Sequence, residues 1–226
     1  MDNKINTYEA LLFDLDGTLF ETGEFAIPAF IKTFERLQSQ GRYSGPIPTA
    51  EAIVSTFGMV MDDLWHQLIP DAHPNVLLEA GNILVDEEVA LLQSGVGNLY
   101  EGVVETLRRL KDSGKRLYVA SNGGERYVKA VVHYKGLDDL ISYAYTAGEF
   151  ATRRKEELVA RILTDIGTKR AIMVGDRQSD VVAGKTNGLP VIGCDFSGFG
   201  AVTELSNADY VIRKFTELLD VMEKLG

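Results

Sequence analysis

Residues 10–18, A-L-L-F-D-L-D-G-T, carry the clearest indication of the fold in this sequence. Its apolar start is typical of a short strand that is buried on both faces of a parallel sheet. Asp14 and Asp16 follow, so both carboxylates are expected at the carboxyl end of that strand, where open α/β sheets bind ligands. Two acids this close repel each other unless a cation lies between them or one is protonated. With Gly17 allowing a sharp turn, the spacing predicts a divalent metal beside a nucleophilic or acid–base carboxylate.

Length and composition are those of an ordinary globular protein. A chain of 226 residues with 45% hydrophobic and 25% charged residues suits one large domain, or a core with a smaller insertion. The N-terminal residues have no signal-peptide pattern, and no apolar run is long enough to span a bilayer. Cys194 is the only cysteine, so it cannot form an internal disulfide. We therefore expect a cytoplasmic protein with no membrane partner.

The net charge of −10 is unevenly distributed along the chain. Residues 21–94 contain 11 acidic residues against three basic ones, a balance of −8, which leaves −2 for the rest of the chain. Nucleic acids are bound by clusters of lysine and arginine, so this charge argues against a nucleic-acid partner. A small anionic substrate stays possible if a metal and a few local cations neutralise it.

The hydrophobic pattern divides the chain into two regions. Residues 21–94 have helical spacing of apolar residues and no strand signal, so we expect an all-helical insertion whose aromatic residues form the core of a small bundle. After residue 95, strands alternate with helices that the apolar spacing predicts near residues 103–112, 125–134, 155–166 and 215–225. This alternation predicts a parallel sheet with helices on both faces. The expected architecture is an α/β, Rossmann-like core made of residues 1–20 and 95–226, with a helical cap domain at 21–94.

Two further predicted strands end in polar residues. The strand over residues 116–120 is followed by Ser121 and Asn122, a hydroxyl and an amide that could bind an anion or simply cap the next helix. The strand over residues 171–174 is followed by Asp176, with Asp180 one helical turn further on. These acids could hold a cation such as Mg²⁺, which prefers oxygen ligands, or could favour a helix N-terminus.

The polar residues at these strand ends, in this order along the chain, resemble the motifs of the haloacid dehalogenase-like superfamily. Asp14-x-Asp16 resembles its first motif, Ser121 its second, and the Gly-Asp-x-x-x-Asp run that ends at Asp180 its fourth. The third motif is a single lysine, which Lys155 matches best within R-R-K-E-E-L-V, although Arg154 beside it is an alternative. The region after residue 175, including Gly-Phe-Gly at residues 198–200, most resembles the phosphoglycolate phosphatase-like group.

The resemblance implies a role for each acidic residue. Asp14 would attack phosphorus to form an aspartyl-phosphate, and Asp16 would protonate the leaving oxygen and later activate water. Mg²⁺ would be held by the Asp14 carboxylate, the Asp16 carbonyl oxygen and Asp176, with Asp180 supporting the site through water or the lysine. The acid at position 16 is typical of phosphatases and phosphomutases rather than dehalogenases.

The resemblance also implies a phosphate-binding set, namely Gly17, Thr18, Ser121, Asn122 and Lys155. Ser121 and Lys155 would hold the phosphoryl oxygens and offset their charge. The expected activity is that of a Mg²⁺-dependent phosphatase acting on a small phosphorylated metabolite, such as phosphoglycolate, a nucleotide or a sugar phosphate. A phosphomutase of the β-phosphoglucomutase type shares every motif and is the main alternative. A non-catalytic phosphate-binding or regulatory protein on the same fold is the other. The sequence leaves the oligomeric state open.

Overall fold

The computed structural model describes residues 8–196 and 201–225. In this part of the chain, six parallel strands form one sheet in the order β3-β2-β1-β4-β5-β6. The strands are β1 Ala10–Phe13, β2 Arg116–Ser121, β3 Tyr143–Thr146, β4 Ala171–Gly175, β5 Val191–Cys194 and β6 Tyr210–Ile212. The first strand lies at the centre, paired with β2 on one side and β4 on the other. The prediction of a Rossmann-like parallel sheet is therefore confirmed.

The helices follow the strands on both faces of the sheet. They are α1 Thr22–Ser39, α2 Ala50–Val54, α3 Met61–Leu68, α4 Pro74–Gln93, α5 Val103–Asp112, α6 Glu125–Tyr134, α7 Ala147–Phe150, α8 Lys155–Ile166, α9 Gln178–Thr186, α10 Ala201–Glu204 and α11 Leu218–Leu225. A short 3₁₀ turn, Phe215–Glu217, precedes the last of them. None of the helices in the described ranges has both the length and the apolar composition needed to cross a bilayer.

The central strand is buried on both faces, as its apolar sequence predicts. Leu11 and Phe13 belong to one hydrophobic cluster, whereas Ala10 and Leu12 belong to a second cluster on the opposite face. This division follows from the alternation of side chains along a strand. The first cluster continues into the helices between β1 and β2, where Trp65 packs among the apolar residues.

Residues 21–94 form four helices, α1 to α4, and the backbone of this stretch, which the structure describes throughout, contains no strand. We call this stretch the helical insert. Its core includes Trp65, whose ring lies 5.7 Å from that of Phe30 and 5.8 Å from that of Phe34. The longest helix, α4, packs against both α1 and α6. This contact brings the insert over the carboxyl edge of the sheet.

Candidate active site

Three adjacent strands deliver the predicted polar residues to one edge. Asp14 directly follows β1, Ser121 is the last residue of β2, and Asp176 directly follows β4. The backbone N–H of Asp14 donates to the carbonyl oxygen of Val174 at 2.8 Å, which extends the pairing of β1 with β4 by one residue. Because parallel strands end at the same edge, residues more than 100 positions apart meet at this point.

A buried ion-pair cluster forms the centre of the site. The Nζ atom of Lys155 contacts Oδ1 of Asp14 and lies 2.5 Å from Oδ1 of Asp180. Lys155 is only 4% exposed and lies at the first position of α8, whereas its neighbour Arg154 has a side chain that is 66% exposed and pairs with Glu157. The structure thus brings Lys155, and not Arg154, to the carboxylates.

The pKa values of this cluster shift in the directions expected for charges removed from water. Burial raises the pKa of Asp14; Lys155 opposes this increase, while Asp180 and Asp176 add to it. Burial alone would lower the pKa of Lys155, but the carboxylates of Asp14 and Asp180 outweigh it and raise the pKa. One buried cation therefore faces an excess of buried carboxylate charge.

This excess of negative charge fits a divalent cation. Carboxylate oxygens of Asp14, Asp176 and Asp180 lie within 4.8 Å of one another, and all three residues are buried. The hydroxyl of Thr18 donates to Oδ1 of Asp176 at 3.1 Å. Gly17 has a φ of +83°, and a Cβ at this position would collide with the Asp176 carboxylate. The close approach of the turn to the acids and the all-oxygen donor set both suit a hard cation.

Asp16 lies in a different setting from Asp14. Its Oδ1 atom accepts hydrogen bonds from the hydroxyls of Thr22 and Tyr127, each at 2.6 Å. Burial raises the pKa of Asp16, although these two hydrogen bonds and Lys155 lower it in part. A carboxyl with a raised pKa keeps its proton at higher pH, so Asp16 is suited to proton transfer.

Ser121, the last residue of β2, and Asn122, which follows it, make different contacts. The hydroxyl oxygen of Ser121 accepts a hydrogen bond from the N–H of Gly123 at 3.0 Å and lines the same cavity as Asp14. The side-chain amide of Asn122 also lines this cavity, but its Nδ2 donates to the carbonyl oxygen of Gly58 in the helical insert at 2.8 Å. Asn122 therefore connects the sheet edge with the insert.

A cavity of about 80 Å³ lies between the sheet edge and the insert. Its floor includes Asp14, Asp16 and Lys155, and its far side is formed by side chains of the insert. A second contact holds the two parts together, because the Nη2 atom of Arg177 donates to the carbonyl oxygen of Phe57 at 2.8 Å. We call the contacts of Asn122 and Arg177 with the turn at residues 57–58 the insert latch.

Four residues at the site were not predicted from the sequence, namely Thr22, Glu88, Tyr127 and Arg177. Thr22 and Tyr127 reach Asp16 from the first turns of α1 and α6, and Glu88 lines the cavity from α4. Arg177 follows Asp176 directly, so its position beside a predicted acid was the one available signal. Helical periodicity places the other three on apolar-facing sides but does not show which cavity those sides meet.

Comparisons with known proteins agree with this arrangement. The chain is 28% identical to pyrophosphatase PpaX of Halalkalibacterium halodurans over 231 residues, covering 97% of both chains, and 27% identical to PpaX of Bacillus mycoides, covering 99% of both. A protein from Haemophilus somnus described as a predicted phosphoglycolate phosphatase superposes with a TM-score of 0.83 at 20% identity, covering 95% of this chain and 98% of that one. CbbY from Rhodobacter sphaeroides, solved in complex with phosphate, gives a TM-score of 0.78 at 22% identity, with coverages of 93% and 96%.

The solved structures share the fold, and the curated relatives match over nearly the whole chain. The family profile described as "Haloacid dehalogenase-like hydrolase" matches residues 11–194, most of the chain. This range begins within β1 and ends with β5, so it contains every predicted site residue. The chain is thus an enzyme that belongs to the haloacid dehalogenase-like hydrolase family.

Proposed function

We propose that this protein is a Mg²⁺-dependent phosphatase that hydrolyses a small phosphomonoester through an aspartyl-phosphate on Asp14. The observation that carries the proposal is the buried cluster at the edge of the sheet. Carboxylate oxygens of Asp14, Asp176 and Asp180 lie within 4.8 Å of one another there. Lys155 contacts two of these acids, Asp14 and Asp180. The curated relatives named pyrophosphatases support phosphate chemistry at such an edge. The excess of acidic residues argues for a small substrate rather than a nucleic acid.

The two aspartates of the first motif divide the reaction between them. A carboxylate oxygen of Asp14 attacks phosphorus, a P–O bond to Asp14 forms, and the P–O bond to the leaving alcohol breaks. Asp16, whose pKa is raised mainly by burial, gives its proton to the departing oxygen. Asp16 then accepts a proton from water, which attacks the aspartyl-phosphate and releases inorganic phosphate. The Asp14 carboxylate is regenerated.

The other charged residues of the site would hold the metal ion and orient the Asp14 carboxylate and the phosphoryl oxygens. Asp14, Asp176 and the carbonyl oxygen of Asp16 would hold Mg²⁺, which when bound neutralises phosphoryl charge. Lys155 orients the Asp14 carboxylate through its contact with Oδ1 and offers a cation to the phosphoryl group. Asp180 fixes Lys155 from the other side and accepts a hydrogen bond from the N–H of Arg177 at 3.0 Å.

Residues at the end of β2 would position the phosphoryl group. The hydroxyl of Ser121 and the main-chain N–H groups near Asn122 are donors of the kind that bind phosphoryl oxygens. The N–H groups of Gly17 and Thr18, by contrast, donate within their own turn to the carbonyl oxygens of Phe20 and Leu15, at 2.9 Å and 3.3 Å. Thr18 holds Asp176 in place through its hydroxyl. We further propose that residues 21–94 are a cap domain over a core made of residues 1–20 and 95–226, and that the cap opens to admit substrate.

The first experiment measures phosphate release from p-nitrophenyl phosphate with Mg²⁺ and with a chelator. We expect turnover that needs Mg²⁺ and that Asp14→Asn abolishes, because the amide cannot act as the nucleophile. Asp138→Asn is the matched control, since Asp138 is exposed and contacts His133 far from the cavity. Full activity of Asp14→Asn would overturn the proposal.

The same assay separates hydrolysis from phosphoryl transfer within a sugar phosphate. A phosphatase releases inorganic phosphate from hexose phosphates without an activator, because water reaches the aspartyl-phosphate. A phosphomutase interconverts hexose phosphate isomers, needs a bisphosphate activator and releases little phosphate. We expect the first result, with phosphate release matching the disappearance of substrate.

A further inference from the structure

Glu88 is a buried acid that the reaction outlined above does not use. It lies on α4 with 7% of its surface exposed, and it lines the cavity above Asp16. Within residues 8–196 and 201–225, no hydrogen bond or ion pair to its carboxyl is found. Buried acids are almost always paired, because removing a carboxyl from water without a partner costs free energy. The absence of a protein partner at a cavity wall points to a partner supplied by the substrate.

The surroundings of Glu88 on the insert side of the cavity are apolar. The residues that the insert contributes beside it are largely aliphatic, aromatic or sulfur-containing, with Ala26, Phe30, Phe57, Met59, Met61, Leu64 and Leu84 among them. Among the described lining residues from α1 to α4, Glu88 carries the only ionisable side chain. The part of a substrate that reaches this wall therefore meets apolar surface and one carboxyl.

Beside Glu88, a second anionic group on the substrate would meet no lysine or arginine of α1 to α4 in the described lining of the cavity. Arg36 and Arg42 of the insert pair with glutamates on its outer surface and do not line the cavity. The two described cations of the lining belong to the core, where Lys155 pairs with Asp14 and Arg177 donates to the carbonyl oxygen of Phe57. Burying a carboxylate or phosphate against an apolar wall without a cation is costly.

Burial favours the protonated form of Glu88, and this form can hydrogen-bond a neutral partner. Burial raises its pKa well above the usual range, and the nearby Asp16 raises it further. A protonated carboxyl both donates and accepts a hydrogen bond, and an alcohol hydroxyl does the same. A hydroxyl on the leaving group can thus accept a hydrogen bond from the Glu88 carboxyl and donate one to it.

We propose that Glu88 determines the leaving-group specificity of this enzyme. Its preferred substrates are phosphomonoesters whose alcohol carries an uncharged hydroxyl at the insert end, rather than a carboxylate or a second phosphate. This inference rests on the proposed phosphatase function and narrows its substrate class. It predicts that pyrophosphate, whose leaving group is itself a phosphate, is a poorer substrate than an ester of an uncharged alcohol.

The test compares two substrates of nearly equal size, 2-hydroxyethyl phosphate and 2-phosphoglycolate, with pyrophosphate as a third. For the wild type we expect kcat/KM for 2-hydroxyethyl phosphate to exceed that for each anionic substrate by about tenfold or more, as one buried hydrogen bond implies. Glu88→Leu should reduce the ratio of 2-hydroxyethyl phosphate to p-nitrophenyl phosphate hydrolysis by about tenfold. A merely structural role would lower both activities together and leave this ratio unchanged.

Glu87→Gln is the matched control, because this neighbouring acid pairs with Arg36 and does not line the cavity. It should leave every substrate ratio unchanged. Calorimetric Kd values for Asp14→Asn protein with the same substrates test the preference without turnover. A wild type that prefers 2-phosphoglycolate or pyrophosphate, or a Glu88→Leu variant with unchanged ratios, would overturn the inference alone. No hydrolysis of any substrate, p-nitrophenyl phosphate included, would overturn the phosphatase proposal and this inference with it.

Discussion

Gly17 and Gly114 both have left-handed backbone conformations, with φ values of +83° and +87°. They differ in their surroundings, because a Cβ at residue 17 would collide with the Asp176 carboxylate, whereas nothing lies within 4 Å of one at residue 114. We expect Gly114→Ala to lower the free energy of unfolding by about 1 kcal/mol through backbone strain alone. Gly17→Ala should cost about 2 kcal/mol more, because it also crowds the acids. Urea denaturation of both variants measures the difference.

The same pair tests the assignment of the metal site. Displacing the Asp176 carboxylate should raise the Mg²⁺ concentration needed for half-maximal activity of Gly17→Ala, while Gly114→Ala should keep the wild-type value. Equal stability of the two variants would contradict the collision of a residue-17 Cβ with Asp176. Equal Mg²⁺ dependence would contradict the assignment of Asp176 to the metal site.

Glu88 should make the stability of the protein depend on pH. Burial, followed by Asp16, raises its folded-state pKa, and Tyr127 also faces this region. An acid whose pKa is raised on folding contributes stability that is present below its unfolded pKa and is lost as the pH rises through the folded value. Glu88→Gln stays neutral, so we expect the variant to become more stable than the wild type as the pH rises.

The check is urea denaturation at about pH 5 and about pH 8.5, in chelator so that metal binding does not contribute. The difference in unfolding free energy between Glu88→Gln and the wild type should grow between these values. Glu87→Gln, whose acid is paired with Arg36, should show no such growth. A constant difference for Glu88→Gln would mean that the acid has the same pKa in both states.

The acids that directly follow strands could be predicted from the local sequence. Lys155, at the start of α8, was predicted only through the family resemblance, and the site residues of α4 and α6 were not predicted. Asp14 and Asp176 follow apolar runs, so their position at the carboxyl edge is implied by local sequence. Tyr127 and Glu88 lie on amphipathic helices, where a polar residue usually faces water. Their burial depends on α4 packing against α6, a contact between segments that are distant in sequence.

At the scale of elements, the insert latch should control how often the cavity opens. Arg177→Met removes the guanidinium that donates to the carbonyl oxygen of Phe57, so one contact between the core and the closed insert is lost. We expect KM to rise by about tenfold, with a smaller change in kcat, because closure over substrate becomes less favourable. Amide hydrogen exchange at residues 57–59 should become faster in the metal-free protein.

Arg213→Met is the control for this variant, since its guanidinium is largely exposed and lies 3.4 Å from Asp195 at the far end of the sheet order. It should leave both KM and the exchange rates at residues 57–59 unchanged. Unaltered exchange in Arg177→Met would show that the Arg177 contact of the latch does not hold the insert closed.

Elements with strong periodicity were predicted well, and short ones were not. The predicted helices over 103–112, 125–134 and 155–166 have the same bounds in the structure. The four-residue helix α7 was missed, because it depends on one cap in which the hydroxyl of Thr146 accepts from the N–H of Glu149. The predicted terminal helix starts as a 3₁₀ turn. The run at residues 198–200 lies outside the described residues.

At the scale of the whole molecule, most of the negative charge belongs to the insert that covers the cavity. The balance of −8 over residues 21–94 should repel a phosphate dianion on its approach. We therefore expect kcat/KM for p-nitrophenyl phosphate to rise with added potassium chloride at saturating Mg²⁺, because salt screens this repulsion. Sucrose at equal osmolarity is the control and should produce no rise. A decrease with salt would indicate a net attractive field at the cavity mouth.

The two contacts of the insert latch both end on main-chain carbonyl oxygens, those of Phe57 and Gly58. A carbonyl oxygen is the same for every residue type, so the acceptor at position 57 survives any replacement of its side chain. Side chains of the cavity wall can therefore change, in evolution or in a randomised library, while the way the insert contacts the core is kept. Selection for new substrates can therefore change the cavity-lining side chains of the insert without changing the main-chain contacts that position the insert on the core.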